Sequence, residues 1–172
     1  MFAMGRRDAG KGQLARQAGR ALLKAGLKAV TAESCTGGGV AAALTDIPGS
    51  SQWFDRGYVT YSNAAKIADL GVEVSSLERH GAVSAEVARL MADGALRRSG
   101  ADVAVALTGV AGPDGGSLEK PVGLVYLAFG RRGGPIEVIR ELYAGNRAAV
   151  RRQAVAEALR RLAEIANRSE RS

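Results

Sequence analysis

Apolar residues recur along the chain with two different periods. Leu14, Ala18 and Leu22 fall four residues apart in a segment, 13–25, that stops before a glycine, and this predicts an amphipathic helix. A second long helix is predicted over 147–166, with an inward stripe of Val155, Leu159, Leu162 and Ala166. The folded part of the chain is therefore predicted to begin and end with a helix.

Short segments rich in β-branched and aromatic residues predict five strands between these helices. They cover residues 28–32, 53–61, 102–107, 122–129 and 136–143. The third strand is a continuous apolar run after Asp102, which is typical of a strand covered on both faces. Residues 131–135 separate the last two strands and favour a hairpin, hence an antiparallel pair.

Three shorter helices are predicted between the strands, over 40–44, 62–70 and 84–99. Ser62 and Ser84 are suitable N-caps for the last two. The order of elements predicts an α/β fold, a three-layer α/β/α sandwich with a mixed central sheet of about five strands. We expect one domain over residues 11–167, with flexible tails at 1–10 and 168–172.

Composition narrows the chemistry available to this domain. The chain has 172 residues, 47% of them hydrophobic and 24% charged, as in a soluble globular protein. With one Cys and one His it cannot form an internal disulfide or a zinc site from these residue types, and a Ser-His-Asp arrangement would have to use His80. No apolar stretch approaches the roughly 20 residues that cross a bilayer, so we expect a cytoplasmic protein without a membrane partner.

The net charge of +7 is concentrated at the two ends of the chain. Residues 30–130 hold seven Lys or Arg and eleven Asp or Glu, so the central part carries −4 and the flanks together carry +11. The terminal arginines lie on the predicted amphipathic helices, without interleaved aromatic residues on which bases could stack. This pattern favours solvated helix faces over a nucleic-acid partner.

Two glycine-rich loops, 33–39 and 108–116, follow predicted strands and can meet at the carboxyl edge of the sheet. Neither loop matches the common nucleotide-binding patterns. Thr36, Gly37 and Gly38 at a helix start offer backbone N–H groups for a phosphate or an oxyanion. Taken alone, each loop is more typical of a tight turn.

Ser34 is the candidate nucleophile, at the turn from a strand to a helix. Lys66 is the candidate base if burial removes its proton, although its spacing is also that of a solvated helix lysine. His80, in a polar segment, is more typical of a surface or capping histidine. Cys35 is a rival nucleophile or a buried core residue, and the residue pattern leaves that choice open.

Several motifs in order resemble one known family. They are Thr31-Ala32-Glu33-Ser34-Cys35-Thr36-Gly37-Gly38, Pro48-Gly49-Ser50-Ser51-Gln52-Trp53-Phe54, Gly57-Tyr58-Val59-Thr60-Tyr61-Ser62-Asn63 with Lys66, His80-Gly81-Ala82-Val83-Ser84, and Thr108-Gly109-Val110-Ala111-Gly112-Pro113-Asp114-Gly115-Gly116 with Lys120-Pro121-Val122-Gly123. Over residues 13–165 the chain resembles the CinA C-terminal domain family of nicotinamide-nucleotide amidohydrolases. Many members carry a further N-terminal domain, and this chain looks like the stand-alone form.

The resemblance implies deamidation of nicotinamide mononucleotide to nicotinic acid mononucleotide and ammonia, a step in pyridine nucleotide recycling. It implies Ser34 as nucleophile, Lys66 as base and Tyr61 as helper, with no metal or organic cofactor. The implied substrate contacts are Thr36, Gly37, Gly38, Ser51, Thr108, Gly109, Gly112, Asp114, Gly115 and the phosphate-side Arg147. If Ser51 were the nucleophile instead, Ser34 would contact the substrate or the oxyanion.

From the resemblance and the apolar stripes we expect a homodimer. Two further interpretations of the biological role stay open beside the amidohydrolase. A nucleotide-binding competence or damage-inducible protein without turnover is the second interpretation, and a nucleic-acid partner for the basic terminal helices is the third.

Overall fold

Five strands form one mixed sheet in a computed structural model that describes residues 4–168, with side chains from residue 10 onwards. The strands are β1 Ala29–Glu33, β2 Phe54–Val59, β3 Val103–Gly109, β4 Leu124–Arg131 and β5 Ile136–Leu142. Their order across the sheet is β2-β1-β3-β4-β5. The first three run parallel, whereas β4 is antiparallel to both β3 and β5. The mixed sheet and the predicted hairpin are confirmed.

Helices cover both faces of this sheet. They are α1 Met4–Ala25, α2 Gly39–Thr45, α3 Asn63–Leu70, α4 Val74–His80, α5 Ala85–Arg98 and α6 Arg147–Arg168. One apolar cluster joins α1, α2 and α6 to the sheet, and a second joins α3, α4 and α5 to the other face. The predicted three-layer α/β/α architecture is confirmed. Within the described residues, no helix has the length and apolar character needed to cross a membrane.

The two faces of β3 differ in side-chain size. Val103, Val105 and Leu107 pack with α1, α2 and α6, while Ala104 and Ala106 face α5. The alternation follows from the period of two residues in a strand. Small side chains on the α5 face let that helix approach the sheet closely.

The predicted caps of α3 and α5 are confirmed. Ser62 Oγ accepts a hydrogen bond from the Ala65 amide, and Ser84 Oγ accepts one from the Val87 amide. Gly71 ends α3 with a φ of 68°, a left-handed conformation that glycine adopts without a side-chain penalty. These signals place α3 correctly, and α3 carries Lys66.

The structure differs from the sequence predictions at two helices. Helix α1 begins at Met4, nine residues before the predicted start at Gln13, and takes in most of the segment 1–10 assigned to a flexible tail. That segment has no proline, and its Arg, Ala and Met residues favour helix. Helix α4 was missed because Leu77 is its one buried residue. Residues 1–3 and 169–172 lie outside the described residues, and the tail and domain boundaries stay predictions.

A close contact between α5 and α3 supplies a test of this packing. A β-carbon at Gly94 of α5 would overlap the carbonyl oxygen of Leu70, at the end of α3. We expect Gly94→Ala to lower the free energy of unfolding by about 2 to 3 kcal/mol, because neither backbone can move without disturbing the core. Denaturant unfolding measures this. The matched control is Gly12→Ala in α1, where there is room for the methyl group and where stability should rise by about 0.5 to 1 kcal/mol. Equal effects of the two changes would contradict the packing described.

Candidate active site

A cavity of about 310 Å³ opens at the carboxyl ends of β1 and β3. The two glycine-rich segments meet there, as their positions after β1 and β3 predict. Its wall is formed by Ser34, Cys35, Tyr61, Lys66, Ala82, Val83, Thr108, Gly109, Val110, Ala111, Gly112, Asp114, Gly115 and Arg147. Nine of the thirteen predicted site residues therefore lie around one space.

The cavity contains a close pair of polar side chains. Lys66 Nζ lies 3.0 Å from Ser34 Oγ and 2.6 Å from the carbonyl oxygen of Thr60. Ser34 follows directly after β1, and Lys66 reaches it from α3, 32 residues later in the chain. An amine that donates one hydrogen to Thr60 still has a lone pair for the Ser34 hydroxyl proton.

Burial favours the neutral form of Lys66. Its side chain is 1% exposed. Loss of hydration penalises the ammonium form and lowers the pKa of Lys66 from its ordinary value of 10.5. A lysine held in this way is suited to act as a general base, as the sequence predicted.

The turn after Ser34 is fixed by its own backbone and by Glu33. The Ser34 amide donates to the Leu107 carbonyl, and the Gly37 amide donates to the carbonyl of Ser34, both at 3.0 Å. The buried carboxylate of Glu33 accepts from the Thr36 hydroxyl at 2.7 Å and from the amides of Val40 and Ala41 at 2.8 and 3.0 Å. Glu33 thus joins the end of β1 to the start of α2.

Arg151 of α6 holds the same turn from the opposite side. Its Nε donates to the Cys35 carbonyl at 3.1 Å, and its Nη2 donates to the Thr36 carbonyl at 3.2 Å. The residue patterns did not identify Glu33 or Arg151 as part of the site. For Arg151 a signal existed, because it follows Arg147 by one helical turn and must share its side of α6.

The structure does not place Thr36, Gly37 and Gly38 in the cavity wall. The Thr36 hydroxyl is used by Glu33, and the Gly37 amide is used by the Ser34 carbonyl. Gly38 has a φ of 94° and precedes the first residue of α2. These three residues build the tight turn, and the substrate contact expected of them stays a prediction.

Ser51 lies near the amino ends of the parallel strands, whereas Ser34 lies at their carboxyl ends. It belongs to an exposed 3-10 helix, Ser50–Gln52, that precedes β2. The next residue but one, Trp53, accepts a hydrogen bond from Ala29 at the start of β1. Ser34 follows the end of that strand, five residues away, or about 16 Å at roughly 3.3 Å per residue. Ser51 of this chain is therefore too far from Lys66 for Lys66 to take its proton, and the substrate contact expected of it stays a prediction.

Cys35 belongs to the apolar core, although it also touches the cavity. Its side chain is 6% exposed, and burial raises the pKa of its thiol to about 11. The thiol form dominates at neutral pH, and a thiol is a poor nucleophile compared with a thiolate.

We expect Cys35→Ala to retain turnover, with a loss of stability of about 1 kcal/mol from the lost packing. At pH 8 only about one thiol in a thousand is ionised when the pKa is about 11, so the wild-type thiol should resist iodoacetamide. Activity assays and intact mass after alkylation measure both effects. Rapid alkylation that abolishes turnover, together with an inactive alanine variant, would make Cys35 the nucleophile.

The second glycine-rich loop forms the far side of the cavity. Thr108 Oγ1 donates to the Ala82 carbonyl at 2.8 Å, which ties β3 to the segment before α5. Gly112 has a φ of 79° and a buried backbone beside Val122. Gly109, Asp114 and Gly115 line the cavity as predicted.

Arg147, the first residue of α6, connects this loop to Tyr61. Its Nη1 donates to the Gly112 carbonyl at 2.8 Å, and its Nη2 donates to the Tyr61 hydroxyl at 3.0 Å. The Tyr61 side chain is 62% exposed. Its hydrogen bond goes to Arg147 and not to Ser34 or Lys66, so the catalytic role predicted for Tyr61 stays a prediction.

His80 is placed away from the reacting pair. It ends α4 and is not among the residues of the cavity wall. Its Nδ1 lies 3.8 Å from a Glu86 carboxylate oxygen, and its carbonyl accepts from Lys120 Nζ at 2.6 Å. This is the surface and capping position that the sequence favoured. Within residues 4–168, no group of three or more His, Cys, Asp or Glu side chains is arranged to hold a metal ion.

Three of the six arginines of α6 form ion pairs with nearby carboxylates. Arg160 and Arg161 pair with Glu157, and Arg161 also pairs with Glu164. Arg168 pairs with Glu164 and with Glu137 of β5. These pairs match the solvated helix face that the charge pattern favoured.

Comparison with known proteins gives the family of this chain. The CinA C-terminal domain model matches residues 11–166. The chain belongs to the CinA C-terminal domain family. It is 55% identical over 150 residues to "Nicotinamide-nucleotide amidohydrolase PncC" of Escherichia coli strain K12, covering 87% of this chain and 91% of that protein. It is 52% identical over 152 residues to the protein of the same name from Pseudomonas putida, covering 88% and 94%.

Solved structures agree with the family assignment. A CinA superfamily protein from Klebsiella pneumoniae superposes with a TM-score of 0.88 at 40% identity, covering 92% of this chain and 98% of that one.

A longer relative, a "Putative competence-damage inducible protein" of Symbiobacterium thermophilum, is 61% identical over 115 residues. That match covers 67% of this chain and 27% of the relative.

Proposed function

We propose that this chain is a nicotinamide-nucleotide amidohydrolase that hydrolyses nicotinamide mononucleotide to nicotinic acid mononucleotide and ammonia. The observation that carries the proposal is the buried Lys66 amine 3.0 Å from Ser34 Oγ. The names of relatives that are 52 to 55% identical support the choice of substrate.

Acylation begins when neutral Lys66 takes the Ser34 hydroxyl proton. Ser34 Oγ bonds to the carboxamide carbon and forms a tetrahedral oxyanion. The protonated Lys66 then gives its proton to the amide nitrogen, the C–N bond breaks, and ammonia leaves. The product of this half-reaction is an ester between Ser34 and the nicotinoyl group.

Deacylation repeats these steps with water. Lys66, neutral again, takes a proton from water as the water oxygen attacks the ester carbon. The C–O bond to Ser34 breaks, and Lys66 returns the proton to Ser34 Oγ. Because Lys66 is neutral at the start of each half, one buried amine serves both as base and as acid.

The oxyanion needs a hydrogen-bond donor near Ser34. The Gly37 amide is already used by the Ser34 carbonyl. We assign the role to the Cys35 amide, because Cys35 follows the nucleophile directly and lines the cavity. A preorganised backbone donor at this point stabilises charge as it develops in the transition state.

Arg147 is the proposed partner of the substrate phosphate. It stands between the catalytic cavity and a neighbouring cleft of about 660 Å³, and it lines both. A guanidinium binds phosphate through charge-assisted paired hydrogen bonds. Binding energy from the phosphate then orients the distant carboxamide over Ser34. The role in pyridine nucleotide recycling follows from this reaction, while the homodimer and the cytoplasmic location stay predictions.

The test is release of ammonia from nicotinamide mononucleotide, with and without a chelator. Nicotinamide, which lacks the ribose phosphate, is the matched control substrate. The proposal expects chelator-resistant turnover of the nucleotide and far lower kcat/KM for nicotinamide. Saturable binding of the nucleotide without any ammonia would instead support the non-catalytic binding protein. Neither binding nor turnover would reject this substrate.

A further inference from the structure

We propose that Arg151 is a positioning residue that orients the nucleophile turn, so that Ser34 Oγ points at Lys66. The inference rests on the proposed function, in which Ser34 attacks the substrate. It concerns a residue that belongs to neither the reacting pair nor the phosphate contact.

The Arg151 guanidinium is bonded to the backbone that follows the nucleophile. Arg151 approaches from α6, and its two hydrogen bonds end on the carbonyls of Cys35 and Thr36. Those residues are the two that follow Ser34, and both side chains are buried. One turn further along α6, Val155 packs on the residue that begins α2, since a β-carbon at Gly39 would lie 2.9 Å from its side chain. Two elements far apart in sequence thus determine how the turn is held.

The peptide plane between Thr36 and Gly37 connects Arg151 to Ser34. A trans peptide points its N–H opposite to its C=O, so a bond to the carbonyl fixes the direction of the amide. The Thr36 carbonyl is bound by Arg151, and the amide of the same plane, that of Gly37, donates to the Ser34 carbonyl. One plane is therefore held at both ends, and its amide end is bonded to the backbone carbonyl of the residue that carries the nucleophile.

The contacts of Glu33 that fold the turn are separate from the contacts of Arg151. Glu33 holds the Thr36 hydroxyl and the first amides of α2, and none of these bonds involves Arg151. The Thr36 carbonyl also accepts from the Gly39 amide at 3.0 Å, whereas Arg151 is the partner of the Cys35 carbonyl. Removal of Arg151 should therefore leave the turn folded but allow the Cys35–Thr36 peptide plane to rotate. A displacement of 1 Å between reacting groups lowers rates by about 100-fold.

The neighbouring cleft makes this role testable by chemical rescue. Arg151 lines that cleft together with Arg147, Pro113 and Val122. The space vacated in an alanine variant is therefore open to a small cation from solution. Free guanidinium can donate the same hydrogen bonds to the Cys35 and Thr36 carbonyls.

The experiment compares Arg151→Ala with Arg152→Ala, its exposed neighbour on α6. The first readout is the rate at which a fluorophosphonate labels Ser34, which measures the nucleophile without the natural substrate. The second is kcat and KM for nicotinamide mononucleotide. For Arg151→Ala we expect labelling and kcat to fall by about 30- to 100-fold with KM changed by less than about threefold. Arg152→Ala should match the wild type.

Rescue then separates positioning from a structural effect. Guanidinium at concentrations well below those that unfold proteins should raise both rates of Arg151→Ala by about tenfold and leave Arg152→Ala unchanged. A lower thermal midpoint without rescue, a rise in KM with kcat retained, or rates equal to those of Arg152→Ala would each overturn the inference. If the wild type is labelled but does not hydrolyse the nucleotide, the proposed function fails while the labelling ratio still tests Arg151.

Discussion

Ser34→Ala should lower kcat for ammonia release by at least about 1000-fold, because Ser34 Oγ is the hydroxyl that lies 3.0 Å from the buried Lys66 amine. Binding of nicotinamide mononucleotide should persist, since the variant removes one hydroxyl from a wall that otherwise stays intact. Steady-state kinetics and calorimetric binding measure the two effects.

The control for this variant is Ser51→Ala. Ser51 lies on an exposed 3-10 helix near the amino ends of the parallel strands, and we expect its alanine variant to retain wild-type turnover. If Ser51→Ala were inactive and Ser34→Ala active, the roles of the two serines assigned here would be reversed.

Lys66→Met should remove turnover to a similar extent and at the same time stabilise the protein. Methionine fills the space of the lysine stem without a group that must lose its hydration. In the unfolded chain Lys66 binds a proton below about pH 10.5, whereas in the fold burial lowers its pKa. Folding at neutral pH is therefore opposed by the lost proton or the buried charge, and the variant should be more stable than the wild type.

The stability gained by Lys66→Met should depend on pH. Above pH 10.5 Lys66 is neutral in both states and has no such cost. As the pH falls from 10.5 towards the lowered pKa in the fold, the unfolded state binds more protons and the wild type loses stability relative to Lys66→Met. Denaturant unfolding of both proteins at pH 7 and pH 10.5 measures the difference. A variant less stable than the wild type at pH 7 would contradict the burial argument.

The same titration controls catalysis in the wild type. Since only neutral Lys66 accepts the Ser34 proton, kcat/KM should rise with pH through the lowered pKa and reach its plateau below pH 10.5. Lys66→Arg, which keeps its charge, should be inactive across the whole range. Full activity of the arginine variant would exclude proton transfer at this position.

Local patterns in the sequence were sufficient for most of the fold. The apolar run of β3 and the inward stripe of α6 depend on period alone, and both are buried as predicted. Ser62 and Ser84 were recognisable caps because an N-cap needs only a suitable side chain and a helix after it. The single buried residue of α4, Leu77, gave no period to detect.

The site was predictable where it depended on strand ends and not where it depended on hydrogen bonds. Ser34 follows β1, and Thr108 lies at the carboxyl end of the parallel strand β3, so topology alone brings them together. Whether Gly37 turns its amide to a ligand or to the Ser34 carbonyl depends on Glu33 and Arg151. The bonds from Arg151 span more than 100 residues, and the helical spacing from Arg147 gives the side of α6 on which Arg151 lies but not the carbonyls it reaches.

The most direct test of the account is to locate the acyl group during turnover. The enzyme is mixed with nicotinamide mononucleotide, quenched in acid within a single turnover, digested and analysed by mass spectrometry. We expect a peptide containing Ser34 that carries the nicotinoyl nucleotide as an ester, absent from Ser34→Ala. The adduct on Cys35 in place of Ser34, or full turnover by Ser34→Ala, would contradict a serine nucleophile activated by Lys66.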